Sequence, residues 1–167
     1  MELSRRSLVL TFTAMAGTAK PALEKQDLWM SGQGGYAIYR IPGMAVTAKG
    51  SILAWCEARK TGRGDWGPIG LMLRRSNDGG RTFSPPVQVG QLPGPHKKNP
   101  MALAQKLADP DAVTYNNPVG IAGRDGAVHF LYCLEYMRAF YTRSGDDGQT
   151  WSAPVEITGA FEEFRKG

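Results

Sequence analysis

The stretch Arg75-Ser76-Asn77-Asp78-Gly79-Gly80-Arg81-Thr82-Phe83-Ser84 returns 68 positions later. Its second form is Arg143-Ser144-Gly145-Asp146-Asp147-Gly148-Gln149-Thr150-Trp151-Ser152. Both read Ser-x-Asp-x-Gly-x-Thr-aromatic-Ser. A strand-like run precedes each, Ile69 to Arg74 and Arg138 to Thr142. A proline and a short β run follow each, Val87-Gln88-Val89 and Val155-Glu156-Ile157. The chemistry is that of a hairpin turn. The Asp carboxylate accepts turn N–H groups, the Gly supplies a positive φ, and the aromatic packs behind the turn. Ser76, Asp78, Gly80, Thr82 and Phe83 are therefore read as structural, as are Ser144, Asp146, Gly148, Thr150 and Trp151.

The repeat extends upstream. Arg40-Ile41-Pro42, a turn at Lys49-Gly50 and the run Ser51 to Glu57 parallel Asn117-Pro118, Asp125-Gly126 and Ala127 to Cys133. Pro42 to Pro118 and Gly50 to Gly126 are each 76 positions apart, against 68 for Ser76 to Ser144. The first copy thus carries eight more residues between its second and third strands (76 less 68). The loop Ala58 to Gly67 is assigned to that insertion. It holds Arg59, Lys60, Arg63 and Asp65, just past Glu57. A structural repeat does not need such a loop, and rigid scaffolds commonly carry chemistry on elaborated loops. Four short strands repeated at roughly 70 residues predict an all-β fold of β-propeller type, with about two blades in this chain.

Composition agrees. The 167 residues are 42% hydrophobic and 21% charged, with 21 Gly and 11 Pro. Those values describe a globular, turn-rich chain with one sizeable core. The formal net charge is +5, but the basic residues form no block with interleaved aromatics, which argues against nucleic-acid binding. An anionic small ligand suits the mild positive balance. Cys56 and Cys133 are too few for a disulfide scaffold and read as buried thiols, with a disulfide open if the chain is exported. No metal-ligand spacing is present, and no cofactor is expected. His129 sits in a strand and reads as structural. Arg5-Arg6, an apolar run to Ala16 and small residues to Ala19 predict a signal peptide over 1–19, with a twin-arginine motif open, and export to the periplasm or medium. The run is too short to span a bilayer. Residues 20–167 form the expected domain.

The paired turn is the Asp-box. With Tyr39-Arg40-Ile41-Pro42, Glu57-x-Arg59 and Asp65, the chain resembles the bacterial exo-sialidases (neuraminidases) over roughly residues 28 to 167. The Asp-box by itself is weakly specific; the Arg-Ile-Pro, Glu-x-Arg, Asp order is much more so. The resemblance implies a six-bladed propeller that releases terminal sialic acid from sialylated glycoconjugates with retention. It implies that Arg40 grips the sugar carboxylate through paired hydrogen bonds. Arg59 then lies beside the acid and the ring substituents, Glu57 orients an arginine, and Asn117 contacts substrate. Asp65 matches the residue that protonates the glycosidic oxygen, a task that needs a raised pKa. On the residues alone, Arg40 also reads as a strand-end arginine, Glu57 as a surface ion pair, and Asp65 as a turn aspartate between Gly64 and Trp66. Trp66 is read as a lid or a loop anchor. Tyr132 and Tyr136 are read as alternating strand residues, with pocket lining the alternative.

The pattern also departs from the family. The nucleophilic tyrosine, its glutamate and two further arginines have no match here. Pro68 and Gly70 stand where acidic residues are frequent. The expectation is a truncated or split sialidase with an incomplete site, with Asp65 ionised at neutral pH. Two other classes compete: a non-catalytic Asp-box propeller fragment that binds glycans or protein partners, and a two-blade piece that associates with itself or with a missing C-terminal half.

Overall fold

The computed structural model describes residues 24–62 and 64–165. The signal peptide expected over 1–19 lies outside the described residues. Among the described residues, eight strands form two antiparallel four-stranded sheets. The first contains β1 (Ile38–Val46), β2 (Ile52–Arg59), β3 (Ile69–Ser76) and β4 (Val87–Gln88); the second contains β5 (Tyr115–Ala122), β6 (Val128–Leu134), β7 (Arg138–Ser144) and β8 (Val155–Glu156). In both, each strand pairs with its neighbour in sequence. The sequence did not foresee a short helix, α1 (Pro100–Ala104), or a 3-10 helix over Thr158–Arg165. Asn99 caps α1, its side chain accepting from the Met101 and Ala102 amides, with Pro at the first helical position where its missing N–H costs nothing.

The two repeated turns join β3 to β4 and β7 to β8. In the second, the Ser144 hydroxyl accepts from Gly148 N at 2.8 Å. The Asp146 carboxylate accepts from Thr150 N at 2.8 Å and from the Thr150 hydroxyl at 2.5 Å. The first turn repeats this set with Ser76, Asp78, Gly80 and Thr82. Gly80 and Gly148 sit at φ 90° and 80°, where a side chain is strained.

The repeat holds in register. Arg40 pairs with Glu57 and Gly43 with Trp55, so Ile41 and Pro42 together oppose Cys56. Asn116 pairs with Cys133 and Val119 with Leu131, so Asn117 and Pro118 oppose Tyr132. These are matched β-bulges, placed where proline removes a ladder donor. Ile41 and Asn117 both carry left-handed φ, 52° and 54°. The insertion is placed differently from the expectation. Ala58 and Arg59 still belong to β2, because they pair with Gly70 and Ile69. The extra residues are Lys60 to Pro68, facing the single Tyr136 of the second copy. Tyr136 accordingly lies in a turn rather than a strand.

The core lies between the sheets. Leu53, Trp55, Leu71 and Leu73 meet Val128, Phe130, Tyr132, Leu134 and Phe140 in one buried cluster. Large side chains of this kind each contribute about 1.5–3 kcal/mol on full burial. Trp55 crosses the gap. Its ring meets Phe130 edge-on at 5.7 Å, and its indole N–H donates to the Pro118 carbonyl at 3.2 Å. Gly120 makes room for it, since a Cβ there would lie 2.6 Å from the Trp55 ring. Near the repeated turns, Arg75 donates to the Asp147 carboxylate and carbonyl, each at 2.9 Å, and Ser51 donates to the same carboxylate. Cys56 is buried and Cys133 half-buried, and both are free thiols. Burial pushes the Cys56 thiol up to about 12, so it is inert. His129 hydrogen-bonds Tyr141 at 2.8 Å within the second sheet.

Candidate functional site

Alternation in a strand puts Glu57 and Arg59 on the same face of β2, and Arg40 directly opposes Glu57 across the ladder. The three are therefore neighbours at one end of the first sheet. The hairpin turn lies at the other end, where Gly50 N donates to Thr47 O. Arg59 and Glu57 are buried, 2% and 0% exposed. Glu57 Oε2 accepts from Arg59 Nη2 at 2.6 Å and from Nε at 3.1 Å. This fork-like pairing fixes the plane of the guanidinium. The other Glu57 oxygen accepts from the Asn117 amide at 2.9 Å, so β5 of the second sheet shares the same carboxylate.

The inserted loop closes over this pair. Lys60 N donates to Pro68 O at its neck. Arg59 Nη1 donates to the Gly64 carbonyl at 2.6 Å and to Asp65 Oδ1 at 2.8 Å. Arg40 Nη1 reaches the same Asp65 oxygen at 3.1 Å. The Asp65 side chain is 58% exposed and that of Arg40 is 47% exposed, so both face solvent while Arg59 backs them from below. The hydrogen bond from Arg59 holds the Asp65 carboxyl below its ordinary range. Burial opposes this, and the charges of Arg59 and Arg40 add to it. For Arg59, burial works against the charge, but hydrogen bonds to Asp65 and Glu57 and their negative charges outweigh it and push the pKa up.

Arg40, Glu57, Arg59 and Asp65 thus form one constellation. Asn117 joins it through its backbone, with its side chain exposed on the same bulge. Asp78 and Asp146 do not. Each is engaged within its own turn. Tyr132 belongs to the core, 2% exposed, its hydroxyl donating to Gly90 O. Trp66 packs on Tyr136, ring centroids 4.9 Å apart. Burial raises the Tyr136 phenol, and the charges of Glu57 and Asp65 raise it further, which places it within electrostatic reach of the constellation. Sequence reasoning did not bring Thr114 or Glu135 here. Thr114 both donates to Gly67 O at 2.8 Å and accepts from Gly67 N at 3.1 Å. The readable signal was the offset arithmetic, which leaves one residue opposite the whole inserted loop. Among the described residues no His, Cys, Asp and Glu grouping fits a metal ion, and no helix is long and apolar enough to cross a membrane.

No protein-family model matches the chain. A sialidase of Micromonospora viridifaciens is 41% identical over 80 residues, 47% of this chain and 12% of that protein. A sialidase of Bacteroides fragilis is 28% identical over 149 residues, 77% of this chain and 26% of that one. An exo-alpha-sialidase of Aspergillus fumigatus is 24% identical over 153 residues, 74% of this chain and 34% of that one. The chain is similar to sialidases over 47% to 77% of its length. The fold is similar to that of a solved structure, the Hadza microbial sialidase Hz136, with a TM-score of 0.60 at 22% identity over 77% of this chain and 28% of that one. The chain spans 12% to 34% of the length of these curated relatives.

Proposed function

We propose that the Arg40, Arg59 and Asp65 face is the acid-bearing part of an exo-sialidase site, in a chain that forms about two blades of a larger β-propeller. The carrying observation is one Asp65 oxygen shared by two guanidinium groups from adjacent strands, one exposed and one buried on Glu57. Arg40 offers solvent-facing N–H donors for a sugar carboxylate. Arg59, locked by Glu57, serves as the fixed wall, and Asn117 lends an exposed amide. Asp65 stands where a leaving glycosidic oxygen would take a proton. A bound sugar that covers Asp65 and draws Arg40 away would remove a stabilising charge and add desolvation, and both changes raise the carboxyl pKa. Retaining glycoside hydrolysis also needs a nucleophile on the far side of the sugar, and none of the gathered residues is assigned that part. The substrates are sialylated glycoconjugates, and the working location is outside the cytoplasm.

A second reading, a glycan-binding module without turnover, draws on the same carboxyl. Held low by Arg59, Asp65 is ionised at neutral pH and carries no proton to give. Two measurements on the purified chain test the site. Hydrolysis of a fluorogenic sialoside should be absent. Titration with N-acetylneuraminate, followed by NMR, should show weak binding that Arg40→Ala weakens by about 1.5–3 kcal/mol, the scale of a charged hydrogen-bonded contact. Clear turnover would sink the incomplete-site reading. Binding that survives Arg40→Ala, or no binding by the parent chain, would sink the site itself.

A further inference from the structure

The loop that carries Asp65 is gripped from the other sheet. At the end of β6 the chain turns through Glu135 and Tyr136, with Met137 N donating to Leu134 O at 3.1 Å. Both residues have left-handed φ, 56° and 51°. Such a pair ordinarily calls for glycine or asparagine. A glutamate and a tyrosine there must be held by their surroundings, and the surroundings supply the hold. The Glu135 carboxylate is fully buried; it accepts from Lys98 Nζ at 2.7 Å and from Thr114 N at 3.0 Å. Lys98 also donates to the Ala112 carbonyl. Asn99 donates to Glu135 O, and the Asn116 side chain accepts from Tyr136 N at 3.2 Å. Strain of this sort persists only where contacts over-determine it, and such sites cluster where a geometry is being enforced.

What the turn enforces lies across the gap. Tyr136 packs on Trp66, next to Asp65 in sequence. Glu135 fixes Thr114, whose hydroxyl clamps both the N–H and the C=O of Gly67. Two consecutive turn residues of the second sheet therefore control two consecutive loop residues of the first. We propose that the Glu135–Tyr136 turn is a positioning device: it holds Trp66 and Gly67 so that Asp65 stays on Arg40 and Arg59. Neither residue touches the reacting atoms in this scheme. The significance for catalysis rests on the role given to Asp65 above, but the positioning itself does not.

The test needs no ligand, so it stands or fails apart from the sialidase reading. The Asp65 carboxyl carbon is titrated by NMR in the whole chain, with Asp65→Asn assigning the signal. The groups facing Asp65 are Arg40 on β1 and Arg59 on β2, with Glu57 behind Arg59 and Tyr136 across the gap. In Tyr136→Ala and in Thr114→Val the loop should drift from the two arginines. The Asp65 midpoint should then rise by about 0.5 pH unit or more toward its ordinary value. Tyr136→Phe, which keeps the ring, should hold the parent midpoint. Should Tyr136→Ala fail to fold, Thr114→Val carries the test, because it removes one hydroxyl. An unmoved midpoint in variants whose Trp55 and Trp151 indole signals are intact would overturn the proposal. So would a Tyr136→Phe midpoint displaced as far as that of Tyr136→Ala, since the hydroxyl and not the packing would then be at work.

Discussion

Glu57 and Arg59 show how much one residue depends on another when water is excluded. With both buried, removing Glu57 leaves a guanidinium in the interior with only the exposed Asp65 as counter-charge. Breaking a buried pair this way costs about 3–5 kcal/mol. Glu57→Ala should therefore lower stability by roughly that amount in a denaturant titration, and a loss below about 1 kcal/mol would show that the pair behaves as a surface one. The turn carboxylates offer a pH signature. Hydrogen bonds from the Thr150 side chain and backbone lead in bringing Asp146 from 3.8 to about 2. A carboxyl lowered on folding stabilises at pH values above its unfolded pKa, and that contribution fades as pH falls from about 4 to about 2. The thermal midpoint should drop across that window, and Asp146→Asn should remove part of the slope. Asp78 in the first turn and Glu156 beside Arg138 titrate in the same direction and account for more of it. A pH profile identical in Asp146→Asn would refute the assignment.

At the scale of elements, Gly120 on β5 is fixed by what faces it. Gly120→Ala drives a methyl into the Trp55 ring, and over-packing of that kind costs about 1–3 kcal/mol. Gly145→Ala is the control, because nothing lies within 4 Å of its added Cβ; it should change stability by no more than about 0.5 kcal/mol. Equal thermal midpoints for the two variants would contradict this packing. The strands themselves were legible in the sequence because the repeated turn marks where β3 and β7 end, and equal offsets align the rest. The bulges were not. They arise from Pro42 and Pro118 breaking a ladder that forms only once β2 and β6 lie alongside. The end of β2 was misplaced for a similar reason, since Ala58-Arg59-Lys60, with two adjacent cations, reads as loop until Gly70 and Ile69 pair with its first two members. The grouping of Arg40, Arg59 and Asp65 followed from hairpin geometry plus resemblance. Thr114 and Glu135 stayed hidden, because contacts between sheets leave no periodic mark on either strand.

Across the whole molecule, the sheets stack head to tail. The row Gly43, Trp55, Leu73 and Val87 of the first faces the second. Its counterpart on the second is Val119, Leu131, Tyr141 and Val155, joined by ladder pairs. Val119 and Val155 are 51% and 58% exposed. An apolar row on an open sheet face invites association. We expect concentration-dependent self-association of the chain, reduced by Val119→Lys, in sedimentation velocity; a variant that associates as strongly as the parent would exclude this face. The matched hairpins have one more consequence. Ala58 pairs with Gly70 just as Leu134 pairs with Arg138, yet one hairpin then bears Lys60 to Pro68 and the other only Tyr136. The second hairpin is thus built on the same frame without the loop that carries Asp65. Grafting its short turn in place of the long loop would give an isogenic reference protein, against which any signal attributed to Asp65 can be subtracted.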